Sequence, residues 1–273
     1  IGACGAIGAV SATKPVEMLL HIATWRDVFA GLAVLTVLAS ALILIVVPEK
    51  KGVERSGESL KDQFAGFRLV LRDRFFWRVA LVYAFGYTAL AAYQTLWADP
   101  WLRDVAGLSQ AERANYLLAI QVGFLVGLVL FGGLADLLRR SRVKAVYVFG
   151  VGIALFLTVQ TLLALGVTAM LGLTWFLFGA MFSALYLSYA LLTANFPPAL
   201  TARALTAMNF MVFVAAFGCQ WGIGGVIEMF PRTASGGYPY EAHATGFAIT
   251  IALQAVCYVF FLIPGRNKKA RQD

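Results

Sequence analysis

Charge is scarce in this chain: Asp, Glu, Lys and Arg make up 13% of its 273 residues, against 60% hydrophobic types. A soluble domain of this length exposes far more polar surface, so that class is excluded first. Histidine occurs only as His21 and His243, which are isolated, and no Cys/His/Asp spacing proposes a metal site. Cys4, Cys219 and Cys257 all fall inside apolar segments, where a thiol acts as a small hydrophobe, and no disulfide framework follows. The chain has no G-x-x-x-x-G-K-[ST] phosphate loop, which argues against ATP hydrolysis. It has no basic patch with interleaved aromatics set apart from the apolar segments, which argues against nucleic-acid binding despite the net charge of +8. Ser183 and Ser188 lie in an apolar stretch, but neither has a histidine nearby in sequence to serve as base, so no catalytic residue is assigned and no cofactor is expected.

What the chain has instead is long apolar runs. A bilayer core of about 30 Å needs roughly 20 apolar residues as helix. Eight segments qualify, near Ile1 to Ile22, Val28 to Val47, Trp77 to Leu96, Asn115 to Leu138, Val146 to Leu165, Ala169 to Ala194, Ala204 to Phe230 and Ala244 to Ile263. The expected fold class is therefore an all-α polytopic membrane bundle with eight transmembrane helices.

The basic residues orient it. Lys50, Lys51, Arg55, Lys61, Arg68, Arg72, Arg74 and Arg78 share one gap, Arg139, Arg140, Arg142 and Lys144 the next but one, and Arg203 and then the C-terminal tail follow in the same alternation. The intervening gaps hold only Arg26, Arg103, Arg113 and Arg232. Basic loops stay cytoplasmic, so the first set and the C-terminus face inward. Trp25, Trp97, Trp101 and Tyr238 fall near the outer interfaces, where amphipathic rings sit well.

The largest cytoplasmic gap divides the chain into 1–47, a linker over 48–75, a six-span unit over 76–263 and a tail over 264–273. Within the linker, Leu60, Phe64, Phe67, Leu71 and Phe75 recur at helical spacing beside Lys61, Arg68 and Arg72, and Ser59 is placed to cap a surface amphipathic helix. The opening at Ile1, inside an apolar segment without an initiator Met, reads as a fragment whose upstream part is missing.

Ionisable groups inside hydrocarbon cost on the order of 2.5 to 3.5 kcal/mol each and usually face a partner or a cavity. The first span carries Lys14, Glu17 and His21 on one helical face, with Pro15 expected to kink the helix beside them. A Lys14–Glu17 pair could hold two parts of a bundle together, or Lys14 could bind an anionic group while Glu17 exchanges protons. Other polar residues within spans are Tyr87, Tyr93, Gln94, Asn115, Gln121, Tyr186, Ser188, Tyr189, Asn209 and Gln220. From these, Tyr93, Gln94, Gln121, Tyr189, Asn209 and Gln220 join the substrate and proton candidates, since phenols and amides suit a neutral or mixed solute. Taken singly, each also suits a helix-to-helix hydrogen bond.

At the inner end of the fourth span, Gly132-Gly133-Leu134-Ala135-Asp136-Leu137-Leu138-Arg139-Arg140 resembles the G-x-x-x-D-[RK]-x-G-[RK]-[RK] loop of the major facilitator superfamily. Gly132, Asp136 and Arg140 fall in register; Leu137 and Arg139 depart from it. The turn Thr24-Trp25-Arg26-Asp27-Val28-Phe29 is similar to the family's G-W-R-x-x-F element. Gln94-Thr95-Leu96-Trp97 and Phe196-Pro197-Pro198 through Arg203 also look like family segments.

The resemblance implies that the spans correspond to helices five to twelve of a twelve-helix plan, with the linker joining two six-helix halves. It implies a solute site between the halves near the midplane, exposed alternately as the halves rock. Asp136 with Arg139 or Arg140, together with Gly132, would form a gating loop. The function expected is secondary active transport of a small solute, coupled to an ion gradient with H+ as the first choice, in the plasma (cytoplasmic) membrane. Its expected partners are the small-molecule substrate and the lipid bilayer, with a monomer as the full-length state. A non-transporting scaffold or sensor module, or an intramembrane enzyme, remains the alternative.

Overall fold

The computed structural model describes Gly8 and residues 14–46, 60–140 and 144–263, and gives the backbone alone at Lys14, Glu17, 60–63 and 138–140. Among the described residues the chain is helical, with no strand. α1 spans Lys14–Leu20 and α2 Trp25–Val46; α3 spans Leu60–Leu71 and α4 Arg74–Ala92. A π-helical turn, Tyr93–Trp97, carries α4 into α5 at Ala98–Asp104, and α6 (Gln110–Arg140) and α7 (Ala145–Ala164) follow. α8 (Leu171–Phe182) continues through a 3-10 turn, Ser183–Tyr186, into α9 (Leu187–Asn195), followed by α10 (Pro198–Glu228) and α11 (Tyr240–Leu262).

Seven of these helical stretches are long and apolar enough to cross a bilayer. The first expected span lies largely outside the described residues, as do Cys4 and the Ser59 cap. Pro15 stands in the first turn of α1, where a missing N–H is tolerated.

Local chemistry sets the helix ends. Thr24 and Asp27 form a capping box: the Asp27 carboxylate accepts from the Thr24 backbone N–H at 2.8 Å, and Thr24 Oγ1 accepts from the Asp27 N–H at 3.3 Å. Asp73 caps α4, accepting from the backbone of Phe75 at 2.7 Å and Phe76 at 3.0 Å. Gly166, at φ +66°, closes α7, with its N–H on Leu163 O and the Val167 N–H on Leu162 O. The π turn relieves Pro100, which cannot donate to Leu96 four residues back; there the Ala98 N–H reaches Tyr93 O instead.

The closest pairing is α6 against α8. A Cβ on Gly123 would collide with the carbonyl of Phe176, and one on Gly179 with the carbonyl of Ile120, so both positions need glycine for the backbones to meet. α4 packs on α10 and α11, and α7 on α11 and α8. The shared core includes Phe76, Phe149, Phe156, Trp175 and Phe178, all fully buried. α3 lies on α10 and α4, with Gly66 against the Arg203 side chain. α2 buries none of its residues, and α1 touches α6.

Candidate functional site

Phenol rings gather where α4, α9 and α10 converge. Tyr83 and Tyr87 share a face of α4 at a spacing of four; Tyr186 and Tyr189 share a face at a spacing of three across the 3-10 turn. Tyr83 stands edge-on to both partners, 6.2 Å and 90° from Tyr186 and 5.4 Å and 83° from Tyr189. Tyr186 and Tyr189 lie nearly parallel, 24° apart at 6.0 Å. Phe182 backs the group, touching Tyr87 and Tyr186.

A chain of hydrogen bonds runs through it. Tyr189 Oη donates to Asn209 Oδ1 at 2.7 Å. Its single proton is then committed, so Tyr83 Oη, 3.2 Å away, donates to the Tyr189 oxygen. Tyr83 is almost fully buried, whereas Tyr87, Tyr186, Tyr189 and Asn209 are half-buried. At about 1.5 Å per residue, Tyr83 stands about 14 Å along from Arg74 and Asn209 about 17 Å from Pro198. Both are close to the middle of a core about 30 Å thick.

The other sequence candidates are dispersed. Tyr93 is 1% exposed and stacks on Phe247 at 3.7 Å and 7°, which puts it between α4 and α11 rather than with Tyr189. Gln94 is half-buried in the π turn. Gln220 donates to Thr95 Oγ1 at 3.3 Å, linking α10 to that turn. Gln121 is buried on α6 with no hydrogen-bond partner for its Oε1, one helical turn from Phe124, which packs on Phe182 and Tyr186. His21 is exposed in the turn after α1; the side chains of Lys14 and Glu17 lie outside the described residues. In the loop motif, Gly132 and Asp136 are exposed near the end of α6, and the Arg139 and Arg140 side chains again lie outside the description.

Tyr83 is the residue that sequence reasoning missed. Its signal was the spacing of four to Tyr87, set against a matching pair at Tyr186 and Tyr189. One sequence reading needs correction: His243 is not isolated. Its Nε2 lies 3.1 Å from Asp104 Oδ2, with both side chains buried. Asp104 also accepts from Arg103 Nε at 2.6 Å and from the Tyr238 N–H at 2.9 Å, tying the outer end of α5 to the loop before α11. Nearby, Arg113 Nε donates to Asp99 at 2.7 Å, joining α5 to α6. Among the described residues no group of His, Cys, Asp and Glu is arranged to hold a metal ion.

Seven bilayer-length apolar helices, with polar side chains gathered at mid-depth of their bundle, define a polytopic membrane protein. The family model of the Major Facilitator Superfamily matches residues 1–218, and the chain belongs to that superfamily. No curated protein matches the chain. The protein is thus a membrane transporter of the major facilitator type, with the bilayer and a small-molecule substrate as its partners; the family is one of transporters rather than enzymes.

Proposed function

We propose that this transporter is secondary active, moving its solute by alternating access with H+ as the coupling ion, in the cytoplasmic membrane and with its C-terminus inside. The observation that carries the reading is the Tyr83–Tyr189–Asn209 hydrogen-bond chain. It spends polar groups at the depth where burial is dearest, on helices that otherwise bury apolar side chains. Half-buried rings and an amide at that depth suit a solute contact better than a structural lock, whose members would all be buried.

In this reading residues 76–263 form one rocking half, 1–47 belong to the other, 48–75 link them and 264–273 form an inner tail, all within one monomer. Lys14 and Glu17, on a helix that touches α6, take an anionic group and the proton. Gly132, Asp136, Arg139 and Arg140 latch the inner ends of helices in one state.

Cysteine accessibility tests this without knowledge of the solute. With the native cysteines replaced, a Tyr87→Cys variant should react with a membrane-impermeant maleimide from either face of oriented vesicles, and conditions that raise labelling from one face should lower it from the other. Reaction confined to one face under all conditions would sink alternating access.

A further inference from the structure

The tyrosine cluster also carries information on what it holds. Across the six-helix unit the middle of every contributing helix is free of Asp, Glu, Lys, Arg and His: between Arg78 and Asp99, between Arg113 and Asp136, throughout α8 and α9, and between Arg203 and Glu228. An ionic group docked on this face would lose water and meet no counter-charge from these helices.

The hydrogen-bond directions narrow the class. Tyr189 donates to Asn209 Oδ1 and accepts from Tyr83, and among the described residues the Asn209 Nδ2 donors make no hydrogen bond. Among the described residues, the hydroxyls of Tyr87 and Tyr186 take part in no hydrogen bond and have protons to offer. The face therefore offers the Asn209 Nδ2 donors beside phenol hydroxyls that can give a proton or accept one, a set able to meet acceptor atoms such as a carbonyl oxygen or a ring nitrogen. A cation over the same rings would gain cation–π attraction, but it would face the positive ends of the Asn209 amide with no carboxylate to balance it. The near-parallel rings of Tyr186 and Tyr189, backed by the buried Tyr83, give a planar guest an aromatic surface to pack against.

We infer that the part of the solute docking on this half is an uncharged aromatic or heteroaromatic ring bearing hydrogen-bond acceptors, held by Tyr87, Tyr186, Tyr189 and Asn209. The inference rests on the reading of this face as the transport site. Three probes of similar size test it on the whole protein in lipid nanodiscs, by equilibrium binding and saturation-transfer NMR. They are nicotinamide, a ring with acceptors; cyclohexanecarboxamide, the saturated match; and phenyltrimethylammonium, the cationic match.

Nicotinamide should bind about tenfold more tightly than cyclohexanecarboxamide, a margin in keeping with one or two lost ring contacts. Tyr186→Leu should remove most of that margin, while Tyr186→Phe, which keeps the ring, should retain the larger part; Asn209→Ala should weaken both carboxamides together. Melting temperatures of Tyr186→Leu and Asn209→Ala close to that of Tyr186→Phe separate these losses from misfolding. Equal binding of the saturated match, no binding of nicotinamide, or preference for the ammonium probe would each overturn the inference. If labelling of the Tyr87→Cys variant still alternates between faces, only the solute class has failed. If it does not, the transport-site reading has failed with it.

Discussion

Gln160 and Gln254 exchange their side-chain amides across the α7–α11 contact. Gln160 Nε2 donates to Gln254 Oε1 at 3.0 Å, and Gln254 Nε2 returns a bond to Gln160 Oε1 at 2.8 Å. Both residues are buried, and each amide also reaches its own helix backbone, at Phe156 O and Thr250 O. The remaining N–H protons are thereby used, and the pair fixes the rotation of one helix against the other.

Removing one partner should therefore cost more than removing both. Gln160→Leu leaves Gln254 Oε1 without its donor in an apolar setting and is expected to destabilise by about 1 to 3 kcal/mol. The double variant, Leu at 160 and 254, should recover part of that loss. Reversible unfolding in mixed detergent micelles, read for both singles and the double, gives the coupling. A double variant as unstable as the sum of the singles would show that the pair does not act as a unit.

The α6–α8 contact makes a steric prediction. Gly179→Ala sets a methyl against the carbonyl of Ile120, which is backbone and cannot rotate away, so the helices must separate. A cost of about 1 to 3 kcal/mol, the range for overpacking, is expected. Gly132→Ala, on the partner helix α6, meets nothing within 4 Å. Its melting temperature should match or exceed that of the parent while transport falls, if Gly132 serves the gating loop. Loss of stability at Gly132 equal to that at Gly179 would remove the gating role.

These contrasts also show what the sequence makes legible. Hydropathy locates the hydrocarbon part of a helix, so the fourth span was expected from Asn115. The helix in fact starts at Gln110, because Ser109 and Glu112 hydrogen-bond to each other and carry the first turn into the polar head-group layer. Similarly, a run ending at Leu96 says nothing of α5 beyond the π turn, since Asp99 and Arg103 look like loop and are helical. Tyr189 and Asn209 were readable as polar residues in apolar spans. Their meeting with Tyr83 depends on the crossing of three helices, which no local pattern encodes. The partner of His243 lies 139 positions away, beyond any periodicity a single chain displays.

Asp104 offers a test at the outer surface. Its carboxylate gathers Arg103, the Tyr238 N–H and His243, while Arg232 holds the same loop through Gly236 O and the Tyr238 hydroxyl. Asp104→Asn keeps the shape and discards the charge that strengthens its hydrogen bonds to these three residues. Amide hydrogen exchange over residues 230–238 should lose about 1 to 3 kcal/mol of protection, with exchange in α8 unchanged. Unaltered exchange in the loop would mean that Arg232 alone holds it.

Lys14 and Glu17 carry the strongest prediction for coupling, because the proposed reading puts their ionisable groups in a span where each costs on the order of 2.5 to 3.5 kcal/mol. The six-helix unit has no such group at mid-depth on the helices that bear the tyrosine cluster, so a proton that crosses with the solute needs a carrier elsewhere. In the proposed reading Glu17 is that carrier, since a carboxyl group can release and take up a proton and the Asn209 amide cannot. Glu17→Gln should abolish the dependence of vesicle uptake on an imposed pH gradient, while exchange of labelled for unlabelled solute persists. Lys14→Gln should weaken solute affinity on the order of tenfold, equivalent to about 1.4 kcal/mol, and leave the gradient dependence of the residual uptake in place. Wild-type kinetics and pH dependence in both variants, at equal expression, would reduce Lys14 and Glu17 to a neutral structural pair. The coupling ion would then have to be carried by some other group.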